Sequence, residues 1–517
     1  MKKHAFLVAL GIFCSRLAGL VRERVFAHYF GNSDAGDAFK AALKIPNFLQ
    51  NLFGEGVLSA SFIPVYAQLL AKKHDEDAAK VASVIGSLLF LMTSVLVLAG
   101  VLTTPFLIDL IAPGFHGEKR ELTIRIVQIL FPGTGFLVMS AWCLGILNSH
   151  KKFFLSYVAP VIWNFAIILA IFAGRHQGQF PLAITASYGL VAGSFLQFLV
   201  QLPFALRLGG KIYPSLNLAI PDVRVVLKSF APVVFSRGVV QVSAYIDNVL
   251  ASLLPAGAVS ALAYAQTLYL LPVSLFGMSV SVAELPAMSQ ATGTAEEIQS
   301  YLQKRLNNGL RQIAFFIIPS AVAFFVLGDL IVGAIFQTGA FDRDSTLYVW
   351  VVLAGYAVGL LASTLGRLYS STFYSLKDTR TPLKFALCRV FFTTVLGILG
   401  AFYVPRILGV DAKWGATGLT STAGVAGWIE FYLLRRSLNK RIGATGLEVS
   451  FQWKLWGTAL LSAAIAFGLK LILNDFSHVI ARAALVLGVY GILYFALGAL
   501  FKVPPAQEIL AKLRRRF

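Results

Sequence analysis

The sequence predicts an all-α, polytopic membrane protein with about 14 transmembrane helices. Three observations predict it. Hydrophobic residues fill 57% of the 517 positions and charged residues 13%, whereas soluble domains carry roughly 45–50% apolar and about 25% charged residues. The mean hydropathy is +0.75, more apolar surface than a soluble globule can hide. The apolar residues come in runs of about 20, the length of a membrane-crossing helix, and not in the ~10-residue alternating segments of a membrane β-barrel. Disordered, collagen-like, coiled-coil and disulfide-scaffold chains are excluded on the same grounds. Cys14, Cys143 and Cys388 lie far apart in apolar runs. With no CxxC or His/Cys cluster they read as buried free thiols, and no metal site is expected.

Taken in order, the first stretch, 5–30, follows Lys2 and Lys3 as a signal peptide would. It continues through Arg16, Arg22 and Arg24 without a small-residue cleavage site, and so reads as a retained span. The second, 36–70, carries Asp37, Lys40, Lys44 and Glu55, with Pro46, Gly54 and Gly56 expected to bend or loosen it. Apolar runs then place spans at 80–111, 122–148, 153–174 and 181–206. The seventh, 226–254, holds Arg237 and Asp247; the eighth, 258–290, holds Glu284 and is, with the second, the least regular. Four more follow at 308–337, 345–375 (with Arg367), 383–404 (with Arg389) and 413–434, and two last at 452–473 and 480–501.

Lys/Arg bias orients them. Lys72, Lys73, Lys151, Lys152, Arg207, Lys211, Lys304, Arg305, Lys377, Arg380, Arg435, Arg436, Lys440, Arg441 and the Arg514–Arg516 tail fall on one side, which is read as cytoplasmic. The opposite loops at 31–36 and 254–259 contain no Lys or Arg. Both termini are then cytoplasmic, as an even span count requires. The net charge of +20 belongs to these loops, and no nucleic-acid partner is expected. The basic tail is read first as a topology anchor, with contact to anionic lipid as an alternative.

A repeat is visible. Leu52-Phe53-Gly54 followed by Pro64 matches Leu275-Phe276-Gly277 followed by Pro286, and Ser149-x-Lys151 matches Ser375-x-Lys377. Both pairs are six spans apart, an even offset that preserves orientation, so the expectation is a parallel repeat of two pseudo-symmetric six-helix lobes. This divides the chain into an N-terminal lobe at 1–215, a C-terminal lobe at 216–445, and two C-terminal helices with a basic tail at 446–517.

A charge at mid-bilayer costs about 2.5–3.5 kcal/mol on insertion scales, so intramembrane charges indicate function when they face a cavity. The offsets between Asp37, Lys44 and Glu55, at 100° per residue, put the three on one face of a continuous helix. A positive excess in a cavity implies an anionic ligand, and arginine's planar fork suits phosphate. Bland readings stand beside this one: Arg22, Glu23 and Arg24 near an interface could snorkel, and Asp37 could simply cap the second helix. No P-loop, HExxH, GxSxG or strand–helix GxGxxG occurs. The chain is therefore read as a transporter or flippase for a large anionic or amphiphilic substrate, and not as an enzyme.

Ser15-Arg16-x-x-Gly19-x-x-Arg22-Glu23, Phe30-Gly31, Asp37-Ala38-Phe39, Lys44-x-Pro46-Asn47 and Phe53-x-Glu55-Gly56 closely resemble the MurJ (MviN) family. Pro113-Gly114-Phe115, Leu147-Asn148, Phe373-Tyr374-Ser375 and Thr381-Pro382 extend the likeness along the chain. The resemblance implies a member of the multidrug/oligosaccharidyl-lipid/polysaccharide (MOP) exporter superfamily. It implies a flippase that moves lipid II, the undecaprenyl-diphosphate-linked peptidoglycan precursor, across the bacterial inner membrane by alternating access; a monomer is expected. It also implies a central cationic cavity, a tail groove formed by the two extra helices, and substrate-binding roles for Arg16, Arg22, Asp37, Lys44 and Glu55.

Two departures from the family pattern stand out. Gln266-Thr267 occupies a position where the family often has Asp-Arg, and Gln50-Asn51 replaces a basic pair, so Arg237 is the candidate replacement cation. Some members bind sodium through a seventh-span aspartate and polar residues of the eleventh and twelfth spans. Here Arg389 is expected to pair with Asp247 in place of sodium, and no cofactor is expected. A net positive carrier would then respond to membrane potential. Rival readings are a flippase for another undecaprenyl-diphosphate glycan of O-antigen type, a MATE-like exporter, which should show an acidic cavity, and a lipid-linked glycosyltransferase, for which the loops are too short.

Overall fold

The computed structural model describes the backbone of residues 2–474 and 478–514; side chains at 2–10, 12, 55, 231, 233, 235–244 and 512–514 are outside the description. The described elements are helices throughout, as expected. Packing divides them into two compact units, residues 1–260 with 338–340, and residues 261–337 with 341–517.

The first unit begins with α1 (Lys2–Phe30). The second apolar stretch then breaks into α2 (Asp34–Ala42), α3 (Lys44–Phe53) and α4 (Glu55–Ala71). Ser33 caps α2, its hydroxyl accepting the Gly36 N–H at 3.2 Å. Pro46 has no N–H for the carbonyl of Ala42, and the first helix stops there. The second break is at Gly54, which is extended (φ −86°, ψ −151°). A Cβ there would lie 2.3 Å from the Gln50 carbonyl oxygen, so only glycine fits.

Four long apolar helices follow: α5 (Asp75–Ile111), α6 (Gly117–Ser149), α7 (Phe153–Ala173) and α8 (Gln179–Leu208). Leu91, Val95, Leu98, Leu102 and Phe106 line one exposed face of α5, as a lipid-facing surface would. The opposite face packs with α4 and α6 around Phe62, Tyr66, Val81, Ile85 and Trp142, and the Trp142 indole donates to the Ala82 carbonyl at 3.1 Å. The unit closes with α9 (Pro221–Ser252). Residues 338–340 join it through Ala340 N–H to the His28 carbonyl (2.7 Å).

The second unit starts within α10 (Ala258–Pro272), which loosens into a π-helical segment, Val273–Met278, before α11 (Ser279–Ser289). The two copies of Leu-Phe-Gly therefore both fall at irregular places, the Gly54 break and this π segment. α12 (Ala295–Val326), with a Thr294/Glu297 capping box, leads to α13 (Gly328–Phe336) and α14 (Arg343–Ser375). α15 (Arg380–Ile398), a second π segment (Leu399–Tyr403), α16 (Val404–Leu408) and α17 (Gly415–Ile442) complete this run. α14 and α17 pack backbone to backbone: a Cβ on Gly359 would lie 2.4 Å from the Gly424 Cα.

α18 (Val449–Ile472) and α19 (Val479–Leu500) form the appended pair. Tyr494 of α19 donates its hydroxyl to the Phe315 carbonyl at 2.6 Å. That carbonyl lies four residues before Pro319 and is the one a proline leaves without its helical donor. Tyr490 bonds the Pro319 carbonyl itself at 2.7 Å. The chain after residue 503, expected only as a basic tail, forms an amphipathic helix, α20 (Pro504–Arg514).

Helices occupy all fourteen expected stretches. Among the described residues, ten are long and apolar enough to cross a membrane. The broken second stretch, α2–α4, falls outside that set because each of its helices is shorter than a membrane span.

Candidate functional site

The charges of the first two stretches meet in the first unit. On α1, Arg22 Nη2 donates to Glu23 Oε1 at 2.7 Å; from α2, Lys40 Nζ donates to Glu23 Oε2 at 2.5 Å. Glu23 and Lys40 are each only 7% exposed. Two cations thus share one carboxylate, and the trio carries one net positive charge in an apolar surrounding. Arg22 also lies over the Trp163 ring of α7, 4.8 Å from its centre, and Lys40 over Phe26 at 4.4 Å. Beside Arg22 on α7, the buried Trp163 Nε1 and Asn164 Oδ1 have no hydrogen-bond partner among the described residues. A polar ligand atom or water would satisfy them.

Asp37 does something the sequence did not suggest. It is 1% exposed and does not cap its own helix, which Ser33 does. Its Oδ2 accepts Lys119 Nζ of α6 (2.8 Å) and the Gly257 N–H (2.7 Å), and its Oδ1 accepts the Ser260 N–H (2.7 Å). Asp37 therefore caps the start of α10 from a distance, where orphan N–H groups favour an anion. Lys119 also reaches Asp34 at 2.8 Å.

The expected single polar face of Asp37, Lys44 and Glu55 requires one continuous helix. The breaks at Leu43 and Gly54 put the three on α2, α3 and α4, so the 100° extrapolation does not carry across. Asp37 is turned into the packing. Lys44 opens α3, where the carboxylate acting on it is Asp247 of α9 and its carbonyl accepts the Tyr245 hydroxyl at 2.5 Å. Arg16 is exposed on α1, about 9 Å of helix rise before Arg22. The side chains of Glu55 and Arg237 lie outside the described residues.

Arg389 of α15 pairs with Glu430 of α17, Nη1 to Oε2 at 3.1 Å; its expected partner, Asp247, belongs to the other unit. The reason is packing: α15 lies against α17, and Glu430 is the nearby acid. On the same helices the Thr394 and Thr422 hydroxyls donate to the carbonyls of Val390 and Gly418 in their own helices. In the second unit, α10, the π segment after it, α12, α13 and α19 border an open cavity of about 340 Å³, lined by Leu268, Phe276, Phe316, Ile331, Tyr490 and Phe495 among others and almost wholly apolar.

Sequence inspection missed Lys119, Trp163 and the backbone N–H groups of Gly257 and Ser260. Lys119 sits in Gly117-Glu118-Lys119-Arg120 at a helix start, and nothing local distinguishes it from a solvated loop lysine.

Residues 26–489 match the family model described as lipid II flippase MurJ. The chain belongs to the MurJ lipid II flippase family. Among MurJ relatives, a lipid II flippase from Burkholderia cenocepacia is 32% identical over 83% of this chain and 81% of its own length. A probable lipid II flippase from Rhizobium meliloti is 29% identical over 91% and 86%. A solved MurJ structure in an inward closed conformation is 26% identical, with a TM-score of 0.79 and coverage of 96% and 98%. An inward-facing MATE family transporter of the MOP superfamily, 17% identical with a TM-score of 0.66 over 82% and 95%, shares the fold alone. The motif block that carries the resemblance lies within or just before the part matched to the MurJ family.

Proposed function

We propose that this chain flips lipid II from the inner to the outer leaflet of the bacterial cytoplasmic membrane, working as a monomer with both termini in the cytoplasm. The observation that carries the reading is the Arg22–Glu23–Lys40 trio. An acid shared by two cations prevents their mutual repulsion yet leaves a surplus charge. A diphosphate beside the trio would draw on that surplus through the N–H groups of Arg22 that face neither Glu23 nor Trp163. The Trp163 N–H and the Asn164 carbonyl add one donor and one acceptor at the same place. Arg16, exposed on the same helix, meets the substrate before Arg22 does.

The polyprenyl tail needs an apolar seat, and the cavity walled by α10, α12, α13 and α19 has the chemistry for it. Transport by alternating access requires the outer end to open and close. Asp37 supplies a latch there, since three hydrogen bonds to one carboxylate must break together. No covalent step is involved and no bound sodium enters the cycle. Because the carrier is net positive, the membrane potential acts on its reorientation at ~2.3 kcal/mol per charge per 100 mV.

The test is complementation of a strain depleted of its lipid II flippase. The intact chain is expected to restore growth and Arg22→Ala to fail at equal abundance; growth with Arg22→Ala would reject the role of the trio. Flipping in sodium-free vesicles, with and without an imposed potential, tests the coupling. Gln266-Thr267 in place of the family's Asp-Arg favours one second reading, a different glycan on the same diphosphate carrier. Vesicles loaded with lipid II or with another undecaprenyl-diphosphate glycan separate the two.

A further inference from the structure

Among the described residues, four other than glycine adopt left-handed backbone, and all four are lysine: Lys73 (φ +61°), Lys151 (φ +60°), Lys377 (φ +59°) and Lys502 (φ +53°). Lys and Arg together are only 44 of 517 residues, so composition does not explain it. Each lysine ends a long helix, α4, α6, α14 and α19, with the same pair of hydrogen bonds. Lys73 N–H bonds the Leu70 carbonyl (3.0 Å) and His74 N–H the Leu69 carbonyl (3.0 Å). The corresponding bonds are Lys151 to Asn148 (3.0 Å) with Lys152 to Leu147 (2.9 Å), Lys377 to Tyr374 (3.0 Å) with Asp378 to Phe373 (3.0 Å), and Lys502 to Ala499 (3.1 Å) with Val503 to Gly498 (2.8 Å). This is the Schellman ending, whose left-handed position ordinarily belongs to glycine because a Cβ is strained there.

The four share a side. With the topology proposed above, all lie on the cytoplasmic face. On the other face the left-handed positions among the described residues are Gly31, Gly117, Gly257, Gly339 and Gly409, while on the cytoplasmic face Gly210, Gly293, Gly443 and Gly446 accompany the four lysines. All four lysines are exposed, and among the described residues none of their ammonium groups is paired with a carboxylate.

Two ordinary explanations fall short. A cation at a helix C-terminus complements the helix dipole, but that asks only for a cation somewhere in the last turn and not at the strained position. A topology signal needs basic residues only somewhere near the span, and Lys72 and Lys152 already supply them at unstrained positions. What the strained position adds is a rooted Cα–Cβ direction at the very end of a membrane helix, which confines the reach of the ammonium to a narrow range of depth.

We propose that Lys73, Lys151, Lys377 and Lys502 are anchor points for anionic phospholipid headgroups of the inner leaflet, each pinning the depth of the helix it ends. The partner is a negatively charged lipid surface, recognised through its phosphate. The inference rests on the topology above and not on the transported substrate.

The experiment uses the full chain in neutral detergent, with phosphatidylglycerol or phosphatidylcholine added, and reads the thermal midpoint and the number of bound lipids by native mass spectrometry. The intact protein is expected to gain several degrees and to retain phosphatidylglycerol, and inorganic phosphate is expected to give neither effect. The variant Lys73→Gly/Lys151→Gly/Lys377→Gly/Lys502→Gly is expected to melt no lower than the intact protein without added lipid, because glycine is at ease at these angles, yet to lose most of the phosphatidylglycerol gain. The four Lys→Arg changes should keep the gain, and single Lys→Gly changes should each remove part of it. A fourfold glycine variant that keeps the full gain overturns the proposal. Labelling of Lys502→Cys from outside intact cells would instead overturn the topology beneath it, a result independent of whether lipid II is flipped.

Discussion

Asp37 and Ser260 stand 223 positions apart in the chain and are joined by a 2.7 Å hydrogen bond from the Ser260 N–H to Asp37 Oδ1. A carboxylate from the second apolar stretch thereby caps a helix of the eighth. Asp37→Ala would leave Lys119 facing only the half-exposed Asp34 and two N–H groups without an acceptor. Removing one partner of a buried charge pair costs about 3–5 kcal/mol. The expected outcome is a loss of that order in unfolding measurements, with a cysteine at Ser260 becoming reactive to impermeant reagents from outside. Asp37→Asn, which keeps one acceptor, should lose less.

Glu23 tests the shared-acid arrangement. Glu23→Gln strands Arg22 and Lys40 as like charges around a neutral amide. Stability is expected to drop by about 3 kcal/mol or more, and adding Lys40→Met should restore part of it. A double-mutant cycle on unfolding free energy is expected to return at least about 1 kcal/mol of coupling; additivity would contradict the geometry.

Tyr494→Phe removes the donor serving the carbonyl that Pro319 leaves open. The expected loss is about 1–3 kcal/mol, the cost of a buried unsatisfied acceptor. Pro319→Ala supplies a backbone N–H to the same carbonyl, so in that background Tyr494→Phe should cost much less. Thermal unfolding of the four proteins checks it.

Asp378, in the loop before α15, has a carboxyl pulled down to about 2, chiefly by the Thr381 hydroxyl, then by the Thr381 backbone N–H and by Arg441. A carboxyl depressed on folding contributes stability above its unfolded value, about 3.9. That contribution fades as pH falls toward 2. The stability difference between the intact protein and Asp378→Asn should therefore be flat from pH 7 to about 5 and shrink steadily below about 4. A difference unchanged down to pH 3 would contradict the assignment.

How far the sequence could be read depends on the range of each interaction. Apolar runs locate the helices because burial in lipid depends on local composition. Pro46 and Gly54 announce the breaks in the second stretch because their backbone limits are their own. Arg22 and Glu23, adjacent on one helix, were visible as a motif. The role of Asp37 was not, because its partners Lys119, Gly257 and Ser260 come from distant segments and two of them offer only backbone. The pairing of Arg389 with Glu430 follows from which helices pack together, information that no spacing rule carries. The groove that the family resemblance implied between α18 and α19 is not the apolar cavity, to which α19 alone of the pair contributes.

Where α14 and α17 touch through Gly359 and Gly424, no side chain separates the two main chains. Such a seam has no slack, so this pair must swing as one stiff beam in any transport stroke. Bending then concentrates at joints that already lack regular α-helix geometry: the gaps at Leu43 and Gly54 in one unit and the π segments at 273–278 and 399–403 in the other. Shielding those joints from substitution, more than reinforcing the seam, would preserve turnover in a stabilised variant.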